Sequence, residues 1–307
     1  MKKATTVRMD GRPVKLSNLD KVLFPTGGYT KAHVLDYYRQ VAAYLLPHLR
    51  NRPLTLKRYP DGAGKGSFYE KRCPSYHPEW VETADLPSGT KPLKACLVNN
   101  LSTLIWAANL ASLELHVPLA RVPAIGEPDL MVFDLDPGAP ADVTDCARLA
   151  LQLKPLLSQV GLEAYVKSSG KKGLHLYVPL NTPGVTYERT KRFSKAVAQY
   201  LERQDPGQVT ARMAKPHRGG KVFVNWSQND PSKTMVCVYS LRAAEQPQVA
   251  FPLKWGEVEA LAGRARGGEP FAVTLPEALD RLKHDGDLFA PLLNQRQQLP
   301  EFGETQD

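Results

Sequence analysis

The stretch LMVFDLDPG, residues 130–138, decides the fold. Four apolar residues run into two aspartates and a Pro-Gly turn. That pattern predicts a buried strand over 130–136 ending at a polar edge. Outward from it, residues 141–160 carry helical apolar spacing and stop before Gly161. EAYVKSS (163–169) and LHLYVPL (174–180) read as strands joined by the tight turn GKKG. Tyr187 to Gln204 reads as a helix, and KVFVNWSQ (221–228) and TMVCVYSL (234–241) read as two further strands. The order strand, helix, strand–strand, helix, strand is a split βαβ unit of the ferredoxin or RNA-recognition type. The strand at 234–241 is expected to extend it. The fold class is therefore α+β.

Before this core lies a second α/β part. Residues 1–16 read as a strand or arm, and 16–31 as a turn-rich loop with two lysines. A helix is expected from an N-cap at Thr30 to about Leu49, because Val34, Leu35, Tyr38, Val41, Ala42, Leu45 and Leu49 recur at helical spacing. A strand at 52–60, a glycine-rich basic loop at 61–72 and a buried helix at 100–113 follow. The expected division is 1–125 for an N-terminal part, 126–249 for the core and 250–307 for a peripheral appendage with a mobile end. All three belong to one domain.

Composition sets the outer limits. The chain has 307 residues, 42% of them hydrophobic and 23% charged. That excludes a disordered, collagen-like or coiled-coil chain. Forty Lys plus Arg against 31 Asp plus Glu give a formal charge of +9, which favours a polyanionic partner. No apolar run reaches the roughly 20 residues of a membrane span, and the N-terminus has no secretory signal pattern. Cys73, Cys96, Cys146 and Cys237 form no CxxC pair, which fits a reduced cytoplasmic protein. CPSYHPEW (73–80) offers half a zinc site, but no second ligand pair follows at usable spacing.

Asp134 and Asp136 stand at i and i+2 of a strand, so they share a face. Two such carboxylates suit Mg²⁺ or Mn²⁺, held together with substrate phosphates; a solvated strand end is the plainer reading. SSGKKGLHLY (168–177) supplies turn amides, the Ser169 hydroxyl and the Lys172 ammonium, a natural cradle for phosphate oxygens. His175 begins the next strand. Asn225 lies mid-strand among apolar residues and needs a partner, and Arg242 follows the strand ending in YSL. Lys57, Arg58, Lys65, Lys71 and Arg72 surround Phe68 and Tyr69, and Lys21 and Lys31 flank a Gly-Gly loop after Asn18. Basic residues interleaved with aromatics suit a nucleic-acid end.

Taken in order, LSNLDKVLFP, RPLTLKRYPDG, FYEKR, VFDLDPG, SSGKKGLHLY, VFVNWSQN and YSLR resemble the polymerase domain of bacterial ligase D and its stand-alone relatives, in the archaeo-eukaryotic primase superfamily. The resemblance spans about residues 8–290. It implies a primase-like catalytic core and a polymerase acting at DNA ends in non-homologous end joining. It further implies a preference for ribonucleotides over deoxyribonucleotides, two Mn²⁺ (or Mg²⁺) ions, and recognition of a downstream 5′-phosphate. A Ku-like protein and a DNA ligase are the implied partners, with no membrane. Carried onto this sequence, Asp134 and Asp136 match the metal-binding pair. Lys57, His116, Ser169, Lys172, His175, Gln228 and Arg242 match positions around the nucleotide. Asn18, Lys21 and Lys31 match the 5′-phosphate pocket, and Phe68, Tyr69 and Arg218 match the template side. Asn225 departs from the family pattern, which has aspartate there as the third metal and catalytic carboxylate. Asp230 lies five positions on and, on a continuous strand, would face the other way. The departure implies retained binding with reduced transfer. It keeps open a second reading, a DNA-end bridging module with little catalysis. The chain reads as a free-standing form or an excised domain.

Overall fold

The computed structural model describes residues 4–87 and 91–300. Among these, two six-stranded sheets carry the molecule. The first runs Val209–Thr210, Val222–Asn225, Leu130–Pro137, Leu174–Pro179, Tyr165–Ser168 and Pro252–Leu253 in spatial order. Neighbours are antiparallel except the first pair, which is parallel. The fold is therefore α+β, as its sequence pattern implies.

Alternation along the central strand explains the layering. Met131, Phe133 and Leu135 are fully buried and pack with Cys146, Leu153, Leu157 and Phe193. The alternate residues, Val132, Asp134 and Asp136, take the opposite face. Helices Val143–Gln159 and Tyr187–Gln204 cover the apolar face. The first is started by Asp142, whose side chain accepts from the Thr144 amide while Asp145 bonds back to Asp142. The second is started by Thr186, which accepts from the Arg189 amide. Each fully buried Leu or Phe contributes roughly 1.5–3 kcal/mol, so this face anchors the strand whose other face is polar.

The second sheet runs Met235–Val236, Ser112–Val117, Pro53–Arg58, Leu93–Leu97 and Thr83–Leu86, with Phe68–Glu70 also paired to Pro53–Arg58. Helices Lys31–Leu49 and Leu101–Asn109 join its core. Arg52, almost fully buried, donates to Asp129 at 2.7 Å. The residues flanking this pair open a strand in each sheet, so it ties the two sheets together.

Three expectations are corrected. The stretch 234–241 does not extend the first sheet. Met235–Val236 pairs with Val117 and His116 of the second. The chain then breaks at Tyr239, whose φ of 61° is left-handed, and Leu241–Arg242 forms its own pair with Gln248–Val249. The segment after 250 is integral rather than peripheral up to Pro300. Pro252–Leu253 closes the first sheet, and Phe251 and Phe289 are buried; the mobile end expected at the C-terminus lies outside the described residues. Finally, Cys73 and Cys96 form a disulfide across a sequence separation of 23. Cys146 and Cys237 are buried free thiols. The bond uses Cys73 and so removes the half zinc site.

Candidate active site

Strand register assembles the site. Asp134 lies opposite His175 on one side and Asn225 on the other, and His175 lies opposite Lys167. Directly opposed residues share a face, so these four side chains form a row across four neighbouring strands, with Asp136 two residues along. His175 Nε2 is 3.4 Å from Asp134 Oδ1. Asn225 Nδ2 donates to Asp134 Oδ2 at 3.0 Å, and Gln228 Nε2 approaches the same oxygen at 3.4 Å. The Ser227 hydroxyl donates to Asn225 Oδ1 at 2.7 Å.

Electrostatics along the row differ sharply. Burial opposes ionisation of Asp134, but hydrogen bonds from His175, Asn225 and Gln228 outweigh it and hold its carboxyl below the usual range. Burial and then the Asp134 carboxylate push Asp136 up. Burial and then the Lys167 charge push His175 down to about 4, so its imidazole is neutral near pH 7. His175 Nδ1 is buried and has no hydrogen-bond partner among the described residues. Burial and then Arg242 push Lys167 down to about 7.

This oxygen-rich pair fits a divalent ion that also takes phosphate ligands. The observation that favours such a fit is geometric: both carboxylates line the cleft from one face of one strand, and the cation nearest Asp136, Arg218, stands 3.6 Å away. The third place is an amide. Among the described residues no group of three His, Cys, Asp or Glu side chains is placed to hold a metal. Asp230 does not substitute: it is bound to Lys191 at 2.7 Å and to the Ser232 hydroxyl at 2.6 Å.

Asp134, His175 and Asn225 of the row face a cleft of about 980 Å³ between the two sheets, while Lys167 lies buried beyond it. Asp134, Asp136, Ser169, Lys172, His175, Asn225, Gln228 and Arg242 line it from one side, and His116 and Tyr69 from the other. Lys57 stands just behind, 5.1 Å from the Tyr69 ring centre. Tyr69 meets His116 edge-on at 5.5 Å. Phe68 and Tyr69 are exposed at the rim. Arg218 stacks on Phe223 and reaches Asp136 at 3.6 Å.

The turn at 168–173 differs in detail from a bare amide cradle. Ser169 Oγ accepts from the Lys171 and Gly173 amides at 3.2 and 3.1 Å. Those two donors are thus spent on shaping the turn. Gly170 has φ +66°, and a Cβ there would stand 2.5 Å from Arg242 Cγ. At Gly173 a Cβ would meet Leu135 O at 2.0 Å. Only glycine lets Arg242 and the central strand pack so close.

Asn18, Lys21 and Lys31 gather elsewhere. Lys21 N donates to Asn18 O, and Lys31 N to Lys21 O. Lys31 Nζ is buried and donates to Ser17 O at 2.8 Å, whereas Lys21 pairs with exposed Asp61 at 3.2 Å. Burial, then the charges of Lys21 and Arg58, push Lys31 down to about 8.

Sequence reasoning missed Glu114, Lys167 and Lys171. Glu114 is fully buried behind the cleft with Tyr59, His116 and Arg242 bound to it. A lone acid inside SLELHV carries no local signal, and the burial of Lys167 follows only from strand order.

Comparison with known proteins agrees with this geometry. Residues 30–289 match the family model described as the LigD primase-polymerase domain. The chain is 41% identical over 281 residues to the multifunctional non-homologous end joining protein LigD of Mycolicibacterium smegmatis, covering 91% of this chain and 36% of that protein. It is 34% identical over 273 residues to the bifunctional LigD protein of Bacillus subtilis, covering 89% and 43%. The chain thus spans about a third to two-fifths of these relatives' length. The solved polymerase domain of Mycobacterium tuberculosis ligase D in complex with DNA superposes with a TM-score of 0.85 at 38% identity, covering 92% of this chain and 99% of that one. A carboxylate-bearing central strand, a basic cleft and a match over most of the chain converge on one assignment: the protein belongs to the LigD primase-polymerase family.

Proposed function

We propose that the chain is a DNA-end nucleotidyltransferase of non-homologous end joining that extends a primer 3′-hydroxyl on a template, with ribonucleoside triphosphates preferred. The observation that carries this reading is the row Asp134, His175 and Asn225 facing a cleft lined by Ser169, Lys172 and Arg242. Asp134 and Asp136 are the residues to hold Mn²⁺ or Mg²⁺, two ions per site. When bound, such ions neutralise the triphosphate and lower the cost of charge developing at the α-phosphorus. The chain's own groups do the rest. Lys172, Arg242 and Lys57 bind phosphate oxygens, Ser169 and Gln228 orient them, and neutral His175 keeps Asp134 in place. His116 faces the nucleotide, and Phe68, Tyr69 and Arg218 meet the template.

Asn18, Lys21 and Lys31 form the 5′-phosphate pocket that gives end binding its polarity. A Ku-like protein and a ligase act with it. The division into 1–125 for DNA ends, 126–249 for metal and nucleotide, and 250–307 as the C-terminal segment belongs to the same proposal. Asn225 lowers transfer while leaving binding intact, because an amide oxygen keeps a ligand but not its charge. That observation also favours the second reading, an end-bridging module with little catalysis.

The test is extension of gapped DNA bearing a downstream 5′-phosphate, with the four ribonucleoside triphosphates and Mn²⁺, by this chain and by Asn225→Asp. Gain of ~100-fold or more in the aspartate form is expected for a restored charge ligand. No extension by either form, with DNA ends still bridged, would leave the bridging reading standing instead.

A further inference from the structure

Glu114 has no side-chain exposure, yet its two oxygens meet six groups. Oε1 accepts from the Tyr59 hydroxyl at 2.7 Å and the Ala243 amide at 3.3 Å, with Lys57 Nζ at 3.7 Å and Lys171 Nζ at 3.9 Å. Oε2 has His116 Nε2 at 2.9 Å and Arg242 NH1 at 3.1 Å. A buried carboxylate is expensive unless it is paired and hydrogen-bonded. Here the near contacts already satisfy it. The two lysines stand beyond hydrogen-bond distance, so their N–H groups remain for another acceptor. Arg242 spends one nitrogen on Glu114, while its buried Nε has no hydrogen-bond partner among the described residues. Three cations thus converge on one carboxylate, and Lys171 and Arg242 also line the cleft. The surplus positive charge faces the space a polyanion would fill.

The geometry points to Glu114 as a positioning residue: behind the cleft and out of reach of substrate, it orients Arg242 and His116 and gathers Lys57 and Lys171 into a preset site for the phosphate chain of a nucleotide. This rests on the nucleotide reading of the cleft. Tyr59 and the Ala243 amide fix the carboxylate, the carboxylate fixes the Arg242 guanidinium, and Gly170 lets that arginine lie against the turn. Lys171, one residue before the lysine that sequence singled out, becomes a phosphate ligand in the same set. Pre-orientation of this kind lowers the ordering cost of binding.

The test uses Asn225→Asp as parent, with ATP and inorganic tripolyphosphate as probes in calorimetric titration with Mn²⁺, and ribonucleotide extension kinetics beside it. In E114Q both probes are expected to bind ~10-fold more weakly, with KM for ATP raised to match and kcat within about threefold. The pair E114Q with Arg242→Gln is expected to lose little beyond the worse single variant, because the two act as one unit. A merely structural Glu114 would lower kcat through lost folded protein and leave KM alone, which overturns the proposal. Should E114Q not fold, E114D keeps the charge but withdraws the carboxylate by one methylene. Unchanged ATP binding in folded E114D overturns the proposal equally. A parent that binds neither probe overturns the nucleotide reading itself, a result distinct from unchanged binding in the variants.

Discussion

Lys167→Met tests the electrostatics of the row. Lys167 has no exposure and, among the described residues, its Nζ donates only to Ser168 O, at 3.4 Å. The groups facing it are His175 across the strand pair, Arg242, Asp134, Cys237 and the Tyr177 ring. Burial and Arg242 push its amine from an ordinary 10.5 down to about 7. The sign follows from linkage. Between pH 7 and 10.5 the unfolded chain holds the proton and the native chain does not, so native stability rises with pH across that window. Below about 7 both states are charged, and the native state carries the full cost of a buried ammonium. A native value of about 7 against 10.5 makes that cost ~5 kcal/mol as an upper figure. Methionine of similar length removes the charge and keeps the packing. The variant is therefore expected to gain ~2–5 kcal/mol at pH 6.5, a rise of roughly 3–8 °C in Tm, and almost nothing at pH 10.5. Thermal unfolding of both proteins across that range, by circular dichroism, reads it directly. A gain of equal size at both ends, or a loss at pH 6.5, would refute the assignment of a destabilising buried charge.

Two other titrations follow from the same structure. His175, pushed down to about 4 from 6.5, binds its proton in the unfolded chain first, so native stability is lost as pH falls from 6.5 to 4. Relative to His175→Phe, the native chain is expected to lose about 3 kcal/mol over that window, read by urea unfolding at pH 7 and pH 4. Lys31, pushed down to about 8, carries its charge only below that value. If Asn18, Lys21 and Lys31 form the proposed 5′-phosphate pocket, preference for a phosphorylated over a hydroxyl end should weaken between pH 7 and 9 in fluorescence-anisotropy titrations, and be weaker and free of that pH dependence in Lys31→Met.

Much of this was legible in the residues, for identifiable reasons. Tyr187–Gln204 is bounded by a capping Thr186 and carries a clean amphipathic repeat. Asp134 and Asp136 stood out because charge ends an apolar run, and strand alternation put them on one face. The motif order then carried the family. What stayed hidden depends on distance. The left-handed Tyr239 breaks what reads as one strand at 234–241, because its amide and carbonyl are claimed by Ala250 and Tyr37. Phe251 reads as part of an appendage until Pro252–Leu253 is seen to pair with Val166 and Lys167. The Cys73–Cys96 bond links residues too far apart in sequence for spacing to reveal. Glu114 matters only once Lys57, Lys171 and Arg242, from three separate segments, converge on it.

The central claim is that the carboxylate pair ending the strand Leu130–Pro137 holds a divalent ion together with a nucleotide triphosphate. Mn²⁺ titration followed by electron paramagnetic resonance, with and without ATP, tests it on this chain, on Asp134→Asn and on Asp136→Asn. ATP is expected to draw Mn²⁺ onto this chain, with binding at least ~10-fold weaker in either variant. Equal Mn²⁺ and ATP binding by all three proteins would contradict it.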